Sequence, residues 1–139
     1  MKISTKGRYA LRMMIDMARN QQHGPVALKD IAYRQNVSKK YLEQIALLLS
    51  QKGMLQGTRG HQGGYRLVME PGDCTVYEIL ETVEGSMHPV ACLDDTPNAC
   101  ERCGKCETLY IWEGLDEVIA EYLRGITLQD VLDRQAEKE

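Results

Sequence analysis

The sequence predicts a mainly α fold carrying one small β-hairpin, and three observations carry that prediction. Apolar residues recur at helical spacing over most of the 139 residues. Residues 54–68 instead hold two short strand-like runs around a glycine-rich tip, Gly60-His61-Gln62-Gly63-Gly64. The third observation is charge. The net value is −3, yet residues 1–70 hold 12 Lys+Arg against 4 Asp+Glu, and residues 71–139 hold 5 against 16. A half at +8 joined to a half at −11 suggests a polyanion-binding module and a second module with another task.

Other totals exclude whole classes. The longest apolar run, Ile45-Ala46-Leu47-Leu48-Leu49, is far too short to span a bilayer. Met1-Lys2-Ile3-Ser4 opens no apolar signal segment, so a cytoplasmic protein without membrane attachment is expected. In that setting five Cys favour metal or redox chemistry over structural disulfides.

Residues 6–20 read as an amphipathic helix. Ala10, Met13, Met14, Met17 and Ala18 form its core stripe, widened by Leu11 and Ile15. Arg8, Arg12, Asp16 and Arg19 are assigned to the other side. His23-Gly24-Pro25 is a turn, and a short helix follows over 28–35 with Leu28, Ile31 and Ala32 inward. Asn36-Val37-Ser38 breaks the pattern, and Ser38 caps the next helix, 39–52. Its buried face is Tyr41, Leu42, Ile45, Leu48 and Leu49; Lys39, Lys40, Glu43, Gln44 and Leu47 lie opposite, and Gly53 ends it.

Two short helices joined by a tight turn, the second Ser-capped and basic at its start, read as a helix-turn-helix. The strands 54–58 and 64–68 that follow have a basic tip, with Arg59 and Arg66. Such a hairpin after a recognition helix is the wing of a winged helix-turn-helix. A plain hairpin with solvated arginines is the alternative.

Beyond Pro71-Gly72-Asp73, Thr75 and Glu78 read as a capping box that opens a helix to Glu84, with Val76, Ile79, Leu80 and Val83 inward. Residues 85–106 show no periodicity and carry Cys92, Cys100, Cys103 and Cys106. A long helix follows over 107–124. Its seam, Ile111, Leu115, Val118 and Tyr122, is broadened by Trp112, Ile119 and Leu123 and suggests a dimerisation helix. Thr127 caps a last short helix, and Arg134–Glu139 are expected to fray.

Thiolates at Cys92-x7-Cys100-x2-Cys103-x2-Cys106 can converge on one soft metal centre. The last three resemble a ferredoxin run without its Cys-Pro ending, and the spacing also permits a four-Cys zinc site. Cys74 is read as a small core residue, His61 as a wing-tip residue near phosphate, and His88 as a loop residue with metal ligation as the alternative.

Four stretches together resemble the IscR-like winged-helix regulators, the family that also holds NsrR, RirA and CymR. They are Lys2–Ala10, Ser38-Lys39-Lys40-Tyr41-Leu42-Glu43-Gln44-Ile45, the wing Arg59-Gly60-x2-Gly63-Gly64-Tyr65-Arg66-Leu67, and Tyr77–Gly85 followed by the Cys loop. The resemblance runs in order from residue 1 to about 125. It implies a dimeric transcription factor, usually a repressor, that binds an operator in double-stranded DNA, with an iron–sulfur cluster on loop Cys. Cys92, Cys100 and Cys106 occupy the three ligand positions, and Cys103 is additional. The family's namesake takes a fourth bond from a His three residues after the last Cys, where this chain has Leu109. The fourth ligand is then Cys103, a carboxylate, a partner-subunit residue or a small molecule. A [2Fe–2S] cluster is expected over [4Fe–4S], with zinc as the alternative. Ala27 stands where a capping Ser is usual, which weakens that helix start by about 0.5–2 kcal/mol.

The expectation is therefore a non-enzymatic regulator. Lys39, Lys40, Arg59 and Arg66 supply phosphate contacts; Ser38, Gln44 and Arg59 reach base edges; Gly60 and His61 form the wing tip. Glu43 discriminates, by accepting from a cytosine amino group or by rejecting poor sites. The domains expected are a winged helix-turn-helix (1–70), a connecting helix (71–85), a cluster-binding loop (86–106), a dimerisation helix (107–125) and a C-terminal helix and tail (126–139). The rival readings are a zinc-stabilised or thiol–disulfide-switched repressor and a small electron-transfer protein.

Overall fold

A computed structural model describes residues 2–139. The order is α1 (Thr5–Asn20), α2 (Leu28–Gln35), α3 (Lys39–Gln51), β1 (Leu55–Thr58), β2 (Gly64–Leu67), α4 (Val76–Glu84), α5 (Leu109–Arg124) and α6 (Leu128–Lys138). Short 3₁₀ turns lie at Gln21–His23, Pro71–Asp73 and Ala91–Leu93. The fold is mainly helical with one antiparallel hairpin, as predicted. Among the described residues no helix is long and apolar enough to cross a membrane.

Helix α1 is the hub because its stripe is apolar on several sides. Ala10, Met13, Met14 and Met17 are fully buried, against α2, α3, α4, α6 and the hairpin. Ser4 caps it by accepting the Gly7 N–H at 3.0 Å. Ser4 also donates, through its N–H at 3.0 Å and its hydroxyl at 2.5 Å, to Oε1 of Glu84 at the end of α4. Gly7 leaves room for this contact, since a Cβ would displace the Glu84 carboxylate and crowd the Ile3 and Leu80 side chains. An anionic carboxylate at a helix start also complements the helix dipole.

Asp16 corrects the sequence reading. Polarity alone places it on the outer side, but it is 2 % exposed, between Met13 and Met17. It is buried because it is fully partnered. Both carboxylate oxygens accept from Arg34 (2.7–3.1 Å), Gln35 Nε2 donates at 3.0 Å, and Asn20 Nδ2 at 3.2 Å. Burial is the largest influence on its pKa and pushes it up; the bonds from Arg34, Gln35 and Asn20 with the Arg34 charge hold it below the usual value.

The hairpin pairs Leu55 with Leu67, Gln56 with Arg66, Gly57 with Tyr65 and Thr58 with Gly64. It is extended by a partner that the sequence did not reveal. Val26, just before α2, exchanges two backbone bonds with Tyr65 at 2.8 and 2.9 Å. Gly64 permits this approach, because a Cβ there would strike the Val26 carbonyl.

The charge boundary at Pro71 is not a break in packing. Cys74, Ile79, Val83 and Leu128 from the acidic half complete the same core as α1 to α3. Thr75 and Thr127 form a short antiparallel bridge, with Val76 N–H to Ile126 O at 2.9 Å and Leu128 N–H to Cys74 O at 3.0 Å. The capping box expected at Thr75 is half made: Thr75 accepts the Glu78 N–H, but the return bond is missing. The complete box is at Thr127 and Asp130. It helps α6 continue to Lys138, so the expected frayed tail is helix.

Helix α5 begins at Leu109, two residues later than predicted, and no residue in it is buried. Ala120 and Leu123 meet Val76, Tyr77, Leu80 and Met87, and the Arg124 guanidinium lies 4.2 Å from the Tyr77 ring centroid. The predicted seam faces outward: Ile111, Leu115, Val118 and Tyr122 are 42–67 % exposed.

Asp16→Asn is expected to destabilise the fold by about 1–3 kcal/mol near neutral pH, since it removes a charge-assisted pair while Arg34 turns to water. The folded carboxyl titrates below its usual 3.8, so its contribution is present above that value and is lost as pH falls through it. Urea unfolding of wild type and variant checks this, with a stability gap that is wide near neutrality and narrows as pH falls below 3.8.

Candidate functional site

Two exposed features follow one another along the basic half. In the first, α2 ends on Asn36, whose φ of 54° turns the chain left-handed. Its N–H and that of Val37 close onto the Ala32 and Tyr33 carbonyls. Ser38 then caps α3 as predicted, accepting the Tyr41 N–H at 3.3 Å. Arg12 pins the end of α2, donating to the Gln35 side chain at 3.1 Å and to its carbonyl. The start of α3 is thereby set by α1 through α2.

Ser38, Lys39, Lys40, Glu43 and Gln44 are exposed, as is Leu47. Glu43 is not isolated: its Oε1 lies 3.7 Å from Lys39 Nζ, one helical turn away. Both side chains are more than half exposed, so the pair adds little stability, but it offsets the anion's charge on this face. Thr5, Tyr9, Tyr41 and Gln44 line an open groove beside Ser38. Tyr9 packs edge-on against Tyr41 with centroids 5.6 Å apart, and Arg12 lies over Tyr9. The sequence pattern gives Thr5 and Tyr9 no place here, and it puts Tyr41 on the buried face, where the side chain is half-buried against the core. The available signal was the polar-aromatic spacing of the first helix turn.

The second feature is the hairpin. Arg59, Gly60 and His61 form its exposed tip, with Gly60 at φ 108° and Gly63 N–H bonded to Gly60 O at 3.0 Å. Arg66 is exposed on β2. Among the described residues no carboxylate pairs with Lys40, Arg59 or Arg66. These cations are available to an anion, whereas Arg34 is committed to Asp16.

The cysteine loop lies between α4 and α5. Cys92 sits in the 3₁₀ turn, Cys100 is exposed, Cys103 and Cys106 are half-buried, and all are free thiols. Their bonds are local. Cys100 N–H donates to Asn98 Oδ1 at 2.9 Å, Cys103 Sγ faces the Asn98 carbonyl at 3.9 Å, and Cys106 Sγ lies 3.5 Å from Thr108 Oγ1. Among the described residues no three His, Cys, Asp or Glu side chains converge in a metal-binding group. The donor chemistry itself fits a soft centre. The Thr108 hydroxyl, with the backbone N–H groups of Thr108 and Leu109, holds the Cys106 thiol below its usual range. Cys74 is the opposite case. Burial, then the Glu78 charge, pushes it up to about 12, and it belongs to the core as predicted. His88 is better fixed than expected of a loop residue, with Nδ1 2.8 Å from Asp116 Oδ1 on α5.

Comparison with known proteins gives a consistent result. The profile of the family described as "Rrf2: Iron-dependent Transcriptional regulator" matches residues 3–134. The HTH-type transcriptional regulator IscR of Klebsiella pneumoniae is 36 % identical over 135 residues, which is 97 % of this chain and 82 % of that protein. Among solved structures, T. potens IscR matches at 37 % identity with a TM-score of 0.80, covering 100 % of this chain and 91 % of that one. CymR, the global cysteine regulator of B. subtilis, matches at 37 % identity with a TM-score of 0.74, covering 96 % and 98 %. The relatives carry the names of regulators, not of enzymes.

Alkylation of the metal-free chain should follow thiolate content. Cys106 is expected to react first and Cys74 last, and Thr108→Val should slow Cys106 labelling without changing Cys100. Timed labelling read by peptide mass checks the order; equal rates at Cys106 and Cys100 would contradict it.

Proposed function

This chain belongs to the Rrf2 family of transcriptional regulators, and on that premise we propose that it is a homodimeric DNA-binding repressor gated by a cysteine-bound iron–sulfur cluster. The carrying observation is the run of exposed polar and unpaired basic side chains along α3 and the hairpin packed on it.

In this reading α3 enters the major groove, the one groove whose edges distinguish all base pairs. Ser38 and Gln44 reach bases, Lys39, Lys40 and Arg66 meet phosphates, and Arg59 with Gly60 and His61 enters the minor groove or follows the backbone. Glu43 accepts from a cytosine amino group when Lys39 swings to phosphate, and repels the duplex where no such donor is present.

The outward seam of α5 supports a second copy of the chain as its occupant. Ile111, Leu115, Val118 and Tyr122 recur on one face, and paired half-sites in DNA call for a two-fold protein. Cys92, Cys100 and Cys106 supply three thiolates to the cluster. The fourth position is open to Cys103 or to a donor other than sulfur, and [2Fe–2S] is favoured over [4Fe–4S]. When bound, the cluster supplies redox-sensitive and oxidation-labile iron chemistry. The chain's own contribution is mechanical: Cys106 is tied to Thr108 at the start of α5, so rearrangement of the loop reaches the dimer helix. Cluster assembly and cysteine or iron metabolism are the gene classes that fit such a sensor. The polarised Cys106 thiol supports a second reading, a thiol–disulfide switch on the same loop, or zinc in place of iron.

Anaerobic purification followed by operator binding tests the proposal, using a duplex selected from random DNA. A brown protein with matched iron and sulfide is expected, with operator affinity that changes on cluster loss. A colourless zinc protein with equal affinities in both states would overturn the cluster switch. If the dimer neutralises about 8–12 phosphates, log affinity against log salt should fall with a slope of about −7 to −11, and Arg59→Ala should make it shallower. Val118→Glu should shift the chain to monomer in sedimentation and weaken operator binding while the fold stays intact.

A further inference from the structure

Two adjacent residues join the start of the cysteine loop to the packed body of the protein. Met87 is 2 % exposed in the apolar layer between α4 and α5. His88 follows it, with Nδ1 2.8 Å from Asp116 Oδ1 on α5. Among the described residues, the side-chain bonds of residues 89–106 stay within the loop or reach only Ser86 and Thr108. His88 is thus the one potential soft-metal donor of this region held by a distant element.

The contact suits the tautomer with its proton on Nδ1, since a carboxylate oxygen accepts. In that tautomer the lone pair is on Nε2, and no protein group among the described residues bonds that nitrogen. A ligating histidine characteristically has this arrangement: one ring nitrogen donates to a carboxylate that fixes plane and tautomer, and the other faces the metal. The side chain is 33 % exposed, and only three residues, Pro89-Val90-Ala91, lie between it and Cys92.

We propose that His88, oriented by Asp116, is a nitrogen ligand of the metal centre assembled by the cysteine loop. This rests on the cluster reading above and fills the position that reading left open. Imidazole replaces thiolate on iron in some [2Fe–2S] centres, so the donor is chemically suited. The thiols are not gathered into one group in this structure. Ligation therefore draws a loop with only local bonds onto a ring already seated. Cys103, the competing donor, is on that loop and faces the Asn98 carbonyl. Because Asp116 is next to Leu115 of the α5 seam, gain or loss of the His88 bond acts directly on the helix that carries the dimer face.

The test uses the full chain, loaded with iron and sulfide anaerobically and labelled with ¹⁵N-histidine. Pulsed EPR of the reduced centre should show a strongly coupled nitrogen that changes with the label. His88→Ala should abolish that coupling and reduce iron and sulfide retention several-fold, with unchanged far-UV circular dichroism. Asp116→Asn, which keeps the ring but loosens its orientation, should retain the coupling with altered strength. Cys103→Ala should leave it unchanged. A cluster with no strongly coupled nitrogen, or one whose coupling survives His88→Ala, overturns the assignment alone. Loss of the cluster in Cys103→Ala but not in His88→Ala gives the position to Cys103. A chain that takes up no iron and sulfide overturns the cluster reading and this assignment together.

Discussion

The Asp16–Arg34 contact is the constraint on which the reading surface depends. A carboxylate at 2 % exposure is tolerable only when its hydrogen-bonding capacity is filled, and here Arg34, Gln35 and Asn20 fill it. Two of those partners are on the last turn of α2. The ion pair therefore acts as a directional clamp, fixing where α2 ends on α1 and so where Asn36 turns the chain and Ser38 starts α3. A pair of apolar side chains of the same volume could match its stability, as buried ion pairs are often no better than packing. It could not match its direction. Hydrophobic contact permits sliding along the helix, whereas a guanidinium and a carboxylate sharing several bonds have one register.

The clamp works because α1 is itself held from the other side, and this gives the acidic half a structural duty. Glu84 receives both polar groups of Ser4, and Gly7 leaves the room for it. The Thr75–Thr127 bridge draws α4 and α6 together, and Leu128 closes the core beneath α1. The opposition of +8 and −11 along the chain is real as electrostatics. It does not mark a mechanical border, because residues from both sides of Pro71 share one core.

This difference explains what was legible in the sequence. The Met stripe of α1, the Ser38 cap, the two hairpin strands and the α5 seam depend on residues within a few positions of one another, so local pattern announces them. Asp16 is misplaced because Arg34 and Gln35, which make most of its bonds, are 18 and 19 residues away. Polarity alone then suggests solvent. The Val26–Tyr65 bridge, the half-made cap at Thr75 and the fixing of His88 by Asp116 have the same origin: each depends on a partner that the fold brings near. The four loop Cys were recognisable as donors by type and spacing. Their ligation geometry was not, since spacing constrains reach and says nothing of which fixed group the loop closes on.

Helix α5 has little support from its own chain. None of its residues is buried, one side rests on the small Val76–Tyr77–Leu80–Met87 layer, and Ile111, Leu115, Val118 and Tyr122 face outward. An element with few buried contacts has a low local opening free energy, and its position is decided by whatever else touches it. Two groups from the cysteine loop do so, Cys106 at its first turn through Thr108 and His88 midway through Asp116. A ligand on the loop therefore does not need to strain the core around α1 to be felt. It has only to bias the setting of a helix that the core leaves loosely held, and in the proposed dimer the α5 seam would carry that bias into the spacing of two α3 helices.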